Sequence, residues 1–163
     1  TKGGVGSYSI KLGQTVVGAL AVVNALGDVV DHHTGTILAG PRDTINGGFL
    51  STVDILSNPN YKSHRTHSIT NTTLVIVATN AALTKEHTNK LAQVSHTGMA
   101  WSVRPCHTME DGDVVFALAT GSIADPIDMT QLCSTAALVV AESIRRAVMQ
   151  AKGLGEIPSS GEI

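Results

Sequence analysis

The chain has 163 residues, a formal net charge of −2, 42% hydrophobic residues and only 3% aromatic ones. These figures suit one globular domain with a core of Ala, Val, Leu and Ile; they exclude an intrinsically disordered chain and the basic footprint of a nucleic-acid binder. No apolar run reaches the roughly 18 residues that suggest a membrane span, and two distant cysteines make no disulfide framework and fit a cytoplasmic setting.

The first residues already read as the interior of a fold. Lys2-Gly3-Gly4-Val5-Gly6 suits a tight turn with close backbone approach, and it lacks the spacing of a phosphate loop. Ser7 to Leu12 alternates as a strand does, with Tyr8 and Ile10 against Ser9 and Lys11. Gly13-Gln14 marks a turn. Thr15 to Val23 is a nearly continuous apolar run, the pattern of a central strand covered on both faces. From Gly27 to Asn71 the polar and turn-forming residues dominate. A stretch this long without periodicity is uncommon in a compact domain and is functional or disordered. Within it, Arg42 to Leu56 is expected to hold a short helix.

Thr73 to Thr79 is a buried-strand pattern. Thr84 caps a helix running to about Val103, with His87, Leu91, Val94, Gly98 and Trp101 on one face, and Pro105 stops it. His96 and Met99 are read as packing or surface residues of that helix. Asp111-Gly112-Asp113 is a turn into a strand from Val114 to Ala119. Asp128 or Thr130 caps a second helix, whose Leu132, Ala136, Val139, Val140, Ser143, Ile144, Ala147 and Val148 form a broad buried stripe. Gly153 is expected to end it, and the tail from Gly155 to Ile163 to fray. This order predicts an α+β class with helices packed on a sheet, without internal repeats.

The chemistry concentrates at Asn71-Thr72, where the polar stretch meets the buried strand. This arrangement suits self-cleavage: the Thr72 hydroxyl attacks the Asn71 carbonyl, the acyl group shifts from nitrogen to oxygen, and water hydrolyses the ester. The new Thr72 α-amine, with an unperturbed pKa of about 7.7–8.0, can then serve as base for its own hydroxyl. A Thr-Thr pair also begins ordinary strands, because β-branched residues favour them. Asp111 and Asp113, at i and i+2 on a turn, can point into one site and hold an ammonium or orient a hydroxyl, or simply form the turn. Asn24, closing an apolar strand, can offer amide N–H groups to an oxyanion or cap its own backbone. Lys2 alone reads as a solvated lysine. The pairs His32-His33 and His64/His67 lack the helical HExxH pattern, so no metal site is expected. Cys106-His107 are adjacent, whereas catalytic Cys–His pairs meet through the fold.

Together, Asn71-Thr72-Thr73 with the following Val-Ile-Val-Ala-Thr-Asn-Ala-Ala-Leu-Thr, and Arg104-Pro105-Cys106-His107-Thr108-Met109-Glu110-Asp111-Gly112-Asp113 with the Val-Val-Phe-Ala-Leu-Ala-Thr-Gly run after it, resemble the P1-type L-aminopeptidase/D-esterase family. That family includes the DmpA-like and β-peptidyl aminopeptidases. The Asn-Thr junction and the Asp-Gly-Asp turn are most similar to its Thr-nucleophile branch, the nylon-oligomer (6-aminohexanoate oligomer) hydrolases. The resemblance extends to Lys2-Gly3-Gly4-Val5-Gly6 and Val22-Val23-Asn24.

The resemblance implies an αββα sandwich of the N-terminal-nucleophile type, of which this chain is the C-terminal half. It implies a self-processing hydrolase of peptide or oligoamide bonds acting through an acyl-Thr72 intermediate, without metal or organic cofactor. By position, Thr72 matches the nucleophile, Asn71 the upstream residue of the cleavage junction, Asn24 the active-site Asn and Lys2 the active-site Lys, at a shorter spacing to Asn24. Asp111 and Asp113 match the acidic pair, whose individual roles the family leaves open. Residues 1–71 then close the large subunit with its pre-cleavage loop, and residues 72–163 form the small subunit. The implied partners are the missing N-terminal half of the precursor, an amide substrate and further copies in a tetramer or larger homo-oligomer. The alternatives are an ornithine-acetyltransferase-like acyl transferase and a non-catalytic assembly subunit.

Overall fold

A computed structural model describes residues 1–62 and 71–163. Ser63 to Thr70, and with them the His64/His67 pair, lie outside the described residues. The main sheet has the strand order β1 (Gly4–Leu12), β2 (Thr15–Asn24), β5 (Thr72–Ala81), β7 (Val114–Ile123). Its first three strands are antiparallel, and β7 joins β5 in parallel. Parallel neighbours need a crossover. Here it contains α2 (Lys85–Ser102), and α3 (Met129–Met149) follows β7. Both helices pack on the same face of the sheet and against each other. A second, small sheet joins β4 (Ile37–Ala39), β3 (Asp28–Val30) and β6 (Val103–Arg104) in that order.

Side chains alternate across a strand. Val17, Ala19, Ala21 and Val23 of β2 and Thr73, Val75 and Val77 of β5 point under the helices and are buried. They meet Leu91 and Met99 of α2 and Leu132, Ala136, Val139, Val140, Ile144 and Ala147 of α3. The stripe expected on the second helix is the one buried. On α2 the buried stripe is Leu91, Ser95, Gly98, Met99 and Ser102, whereas His87 and Trp101 are exposed. A stripe drawn on apolar residues alone passes over serines: Ser95 returns its hydroxyl to the Leu91 carbonyl and Ser102 donates to the Ala141 carbonyl, so both can be buried.

The alternate residues of the main sheet form a broad apolar face that the described chain leaves open. Val5, Leu20, Val22, Leu74, Ile76, Phe116 and Leu118 lie on it, with Phe116 58% exposed. The apolar run in β2 is therefore covered on one face, not two.

Other expectations are corrected. Gly4 and Gly6 lie within β1 rather than in a turn. They are needed for close approach to α3: a Cβ on Gly6 would stand 2.3 Å from the Ser143 carbonyl oxygen and one on Gly4 2.1 Å from that of Ala147. Part of the supposedly aperiodic stretch is ordered as β3, β4 and α1 (Thr52–Ser57). Buried Asp28 accepts both the N–H and the hydroxyl of Thr52, which fixes the start of α1. Thr84 and Asp128 cap α2 and α3 as expected. However, α2 ends because Val103 and Arg104 turn out to pair with β3, before Pro105 is reached. α3 ends at its Gln150 cap, ahead of Gly153. The tail is docked rather than frayed: the Lys2 N–H donates to the Pro158 carbonyl, Ser159 is buried and the Ser160 hydroxyl donates to the Leu38 carbonyl.

One ion-pair network ties α3 together. Glu142 accepts two hydrogen bonds from Arg145, at 2.8 and 2.9 Å, and one from Arg146 at 3.0 Å. The Arg145 bonds, with Arg146 behind them, hold its carboxyl down at about 2 against the opposing effect of burial. Arg146 also stacks 4.3 Å over the Tyr8 ring of β1. Glu142→Ala in the full-length protein should lose about 1–2 kcal/mol, because two guanidiniums lose their acceptor. A folded-state pKa below the ordinary 4.5 stabilises the protein above 4.5, and the contribution fades as pH falls toward about 2. In urea titrations, the gap between the wild type and Glu142→Ala should close over that window.

Candidate active site

Thr72 begins β5 directly opposite Asn24, the last residue of β2, in the antiparallel register. By strand alternation both stand on the same side as Leu74, Ile76, Leu20 and Val22. They therefore sit at one end of the open apolar face, while Thr73 is buried under the helices. The turn before β7 reaches the same end. Asn71 bridges Asp111 in parallel, in register with the β5–β7 ladder but three residues before its first pair, Leu74 with Val114.

Three hydrogen bonds hold the junction, two of them from the turn. The Gly112 N–H donates to the Asn71 carbonyl oxygen at 3.0 Å. The Thr72 hydroxyl donates to that same oxygen at 2.6 Å. Asp113 Oδ1 accepts the Thr73 N–H at 2.7 Å. Thus the hydroxyl lies against the carbonyl on its N-terminal side, and a backbone donor already polarises that carbonyl. Asn71 Nδ2 is buried without a hydrogen-bond partner among the described residues.

Each carboxylate is itself held. Asp111 Oδ2 accepts the Thr108 hydroxyl at 2.7 Å and its N–H at 3.2 Å, and Oδ1 accepts the Leu26 N–H at 3.4 Å. It thereby links the turn to the segment just after Asn24. The Asp113 side chain has no exposed surface, and its Oδ2 accepts the His107 N–H at 3.1 Å.

Thr72, Asn24, Asp111 and Asp113 are therefore brought to one strand end. Lys2 is placed differently. With Asn24 it lines a neighbouring cavity of about 190 Å³, bounded also by Gly3, Leu26 and Gly40. Its Nζ lies 3.5 Å from the Gly3 carbonyl oxygen, and Thr72 and the two aspartates are not part of that lining.

Gly112 and Thr108 were missed as site residues. A Cβ on Gly112 would stand 2.7 Å from Thr72 Oγ1, so this glycine admits the hydroxyl. The available signals were a glycine flanked by two acids, and a hydroxyl residue three positions before Asp111. Cys106 is half-buried, and burial, then Asp113 and Asp111, push its thiol up, which keeps it protonated and poorly nucleophilic at neutral pH. His32, His33 and Glu142 bring ligand atoms within 4.8 Å of one another, but the Glu142 oxygens are engaged by two guanidiniums.

An uncharacterised aminopeptidase of Mycobacterium leprae is 39% identical over 176 residues, covering 97% of this chain and 47% of the relative. A 6-aminohexanoate-oligomer endohydrolase of Paenarthrobacter ureafaciens is 29% identical over 126 residues, covering 76% of this chain and 35% of the relative. The chain thus spans about half the length, or less, of these relatives. In three dimensions it matches an L-aminopeptidase D-Ala-esterase/amidase from Ochrobactrum anthropi, described as a variant of the Ntn-hydrolase fold, with a TM-score of 0.60 and 18% identity over 96% of this chain and 43% of that one. The helices laid on one sheet face, with the other face open, are one α–β half of that αββα architecture. The sequence profile of peptidase family S58 matches residues 1–158, and the chain belongs to that family.

Proposed function

We propose that the full-length protein is a self-processing N-terminal-nucleophile hydrolase of amide bonds, with Thr72 as nucleophile. The observation that carries this reading is the pair of hydrogen bonds on the Asn71 carbonyl oxygen, from the Thr72 hydroxyl and the Gly112 N–H. In processing, Thr72 Oγ1 attacks the Asn71 carbonyl carbon and the developing oxyanion keeps the Gly112 N–H. The hydroxyl proton passes to the amide nitrogen, the C–N bond breaks and an ester remains. Water then hydrolyses the ester, leaving an Asn71 carboxylate and a free Thr72 amine and hydroxyl. Release of the Asn71 end would also let its buried amide, without a partner among the described residues, be hydrated, a change worth about 1–3 kcal/mol.

In turnover the substrate acyl group takes the place of Asn71. The neutral Thr72 amine accepts the hydroxyl proton and passes it to the leaving nitrogen; water then releases the acid. Asn24, facing Thr72 across the ladder, donates to the oxyanion, with Lys2 supporting from the adjoining cavity. Asp113 holds the backbone beside the nucleophile, and Asp111 ties the turn to the Asn24 end. The aminopeptidase and oligoamide-hydrolase relatives suggest the N-terminal amide of a peptide, or a short oligoamide, as substrate. The open apolar face, with the nucleophile at its end, would be covered by the other half of the precursor.

Asp111→Ala and Asp113→Ala should each slow processing or turnover by about 100-fold or more, read from the cleavage time course on denaturing gels and from initial rates. Rates near the wild-type value would return both to ordinary turn residues. To test the reaction class, amide substrate is supplied with and without an added amine acceptor. Hydrolysis should dominate, with free acid as product. Acyl-amine as the main product would identify an acyl transferase instead.

A further inference from the structure

A pair of imidazoles stands behind Asp113, and the reaction above does not use it. His107 has φ 57°, the one non-glycine with positive φ among the described residues. That left-handed conformation costs a β-carbon-bearing residue about 1 kcal/mol, and such strain gathers where geometry matters for function. The conformation lets His107 face Asp113 twice. Its N–H donates to Asp113 Oδ2 at 3.1 Å, and its ring Nδ1 lies 3.9 Å from the same oxygen. Its other ring nitrogen, Nε2, is 3.2 Å from Nδ1 of His96 on α2. The two rings are tilted by 55° with centroids 4.8 Å apart.

Two imidazole nitrogens can share a hydrogen bond only if one bears the proton and the other does not. The carboxylate decides which. With Asp113 Oδ2 beside His107 Nδ1, that nitrogen carries the proton; Nε2 is then bare and accepts from His96 Nδ1–H. We propose that His96 and His107 are positioning residues: His96 donates to His107 Nε2 and so supports the tautomer that Asp113 selects, and His107 holds the Asp113 carboxylate in the orientation that grips the Thr73 N–H beside the nucleophile. At 3.9 Å the ring–carboxylate contact is longer than a hydrogen bond and acts through its electrostatics.

Among the described residues, Asp113 acts on His96 and lies against His107, and Asp113 and Asp111 both act on Cys106, the residue before His107. Cys106 stays neutral, as described above. Burial, and then the proximity of His107, hold His96 below the usual imidazole range against the pull of Asp113. The donor chain runs from α2 through His107 to the carboxylate.

This proposal rests on Thr72 being the nucleophile, and its test separates the two. In the full-length protein, kcat and KM are measured from pH 5 to 9 for His107→Ala, His96→Ala and His96→Asn, the last keeping a donor near the Nδ1 position. His107→Ala should lose about 10–100-fold in kcat with KM within about twofold. His96→Ala should lose about 5–10-fold and move the acid limb of the kcat profile, and His96→Asn should restore most of both. A kcat within twofold of wild type in both alanine variants, or no rescue by His96→Asn, overturns the proposal. If the variants do not fold, 15N spectra of the imidazoles decide it in wild type and in Thr72→Ala. Protonated Nδ1 on both rings supports the chain, and the reverse assignment overturns it. Turnover that survives Thr72→Ala instead defeats the nucleophile reading and leaves the tautomer result standing on its own.

Discussion

Thr72→Ala in the full-length protein should leave a single uncut chain and lower turnover by about 10⁴-fold or more. The substitution removes the proposed attacking atom, Oγ1, which rests 2.6 Å from the Asn71 carbonyl oxygen. It should leave the fold intact, because Thr72 is half-buried at a strand end and the β5 ladder and the Asp113–Thr73 bond use backbone groups. Thr72→Ser keeps a hydroxyl and should keep processing, at a reduced rate, since the lost methyl helps to fix the rotamer. Denaturing gels and initial rates read both variants. Two fragments from Thr72→Ala would place the processing nucleophile elsewhere.

Gly112→Ala should also be damaging, while changing far less chemistry. The new Cβ would lie 2.7 Å from Thr72 Oγ1, closer than real contacts allow. Gly112 has no positive φ, so its backbone accepts an L-residue and the effect comes from the methyl group alone. Either the hydroxyl rotates away from the Asn71 carbonyl or the turn retreats and stretches the Gly112 N–H bond to that oxygen. Both outcomes spoil attack geometry or oxyanion stabilisation, and each is worth about 100-fold. Overpacking at this partly exposed turn should remove about 1 kcal/mol of stability. A melting curve close to wild type with a cleavage rate lowered about 100-fold is the expected pattern. Equal rates in both proteins would show that the carbonyl and hydroxyl are not arranged for reaction.

The residues of the candidate site could be named before any coordinates, by resemblance to a known family rather than by local pattern alone. Thr72, Asn24, Asp111 and Asp113 are polar or charged residues at the ends of apolar runs, and strand pairing then brings those ends together. Local pattern could not supply the contacts that depend on close approach between distant segments. Gly4 and Gly6 looked like a turn because their neighbour, the backbone of α3, lies well over 100 residues away in sequence. Gly112 looked like a turn former, although its missing side chain makes room for Thr72 Oγ1. His96 looked like a packing residue because its partner His107 sits eleven residues on, beyond the end of the helix. The continuous apolar run of β2 did signal burial on both faces, and the described chain buries only one. Under the proposed function, the other half of the precursor would cover that second face.

The central claim is that the bond between Asn71 and Thr72 is cut by Thr72 itself. The most direct test is the intact mass of the purified full-length protein, with N-terminal sequencing of any fragment. The account predicts two chains that copurify, the smaller beginning at Thr72 and the larger ending in an Asn71 carboxylate. An active protein of a single unbroken mass, or a fragment beginning at any other residue, would contradict it.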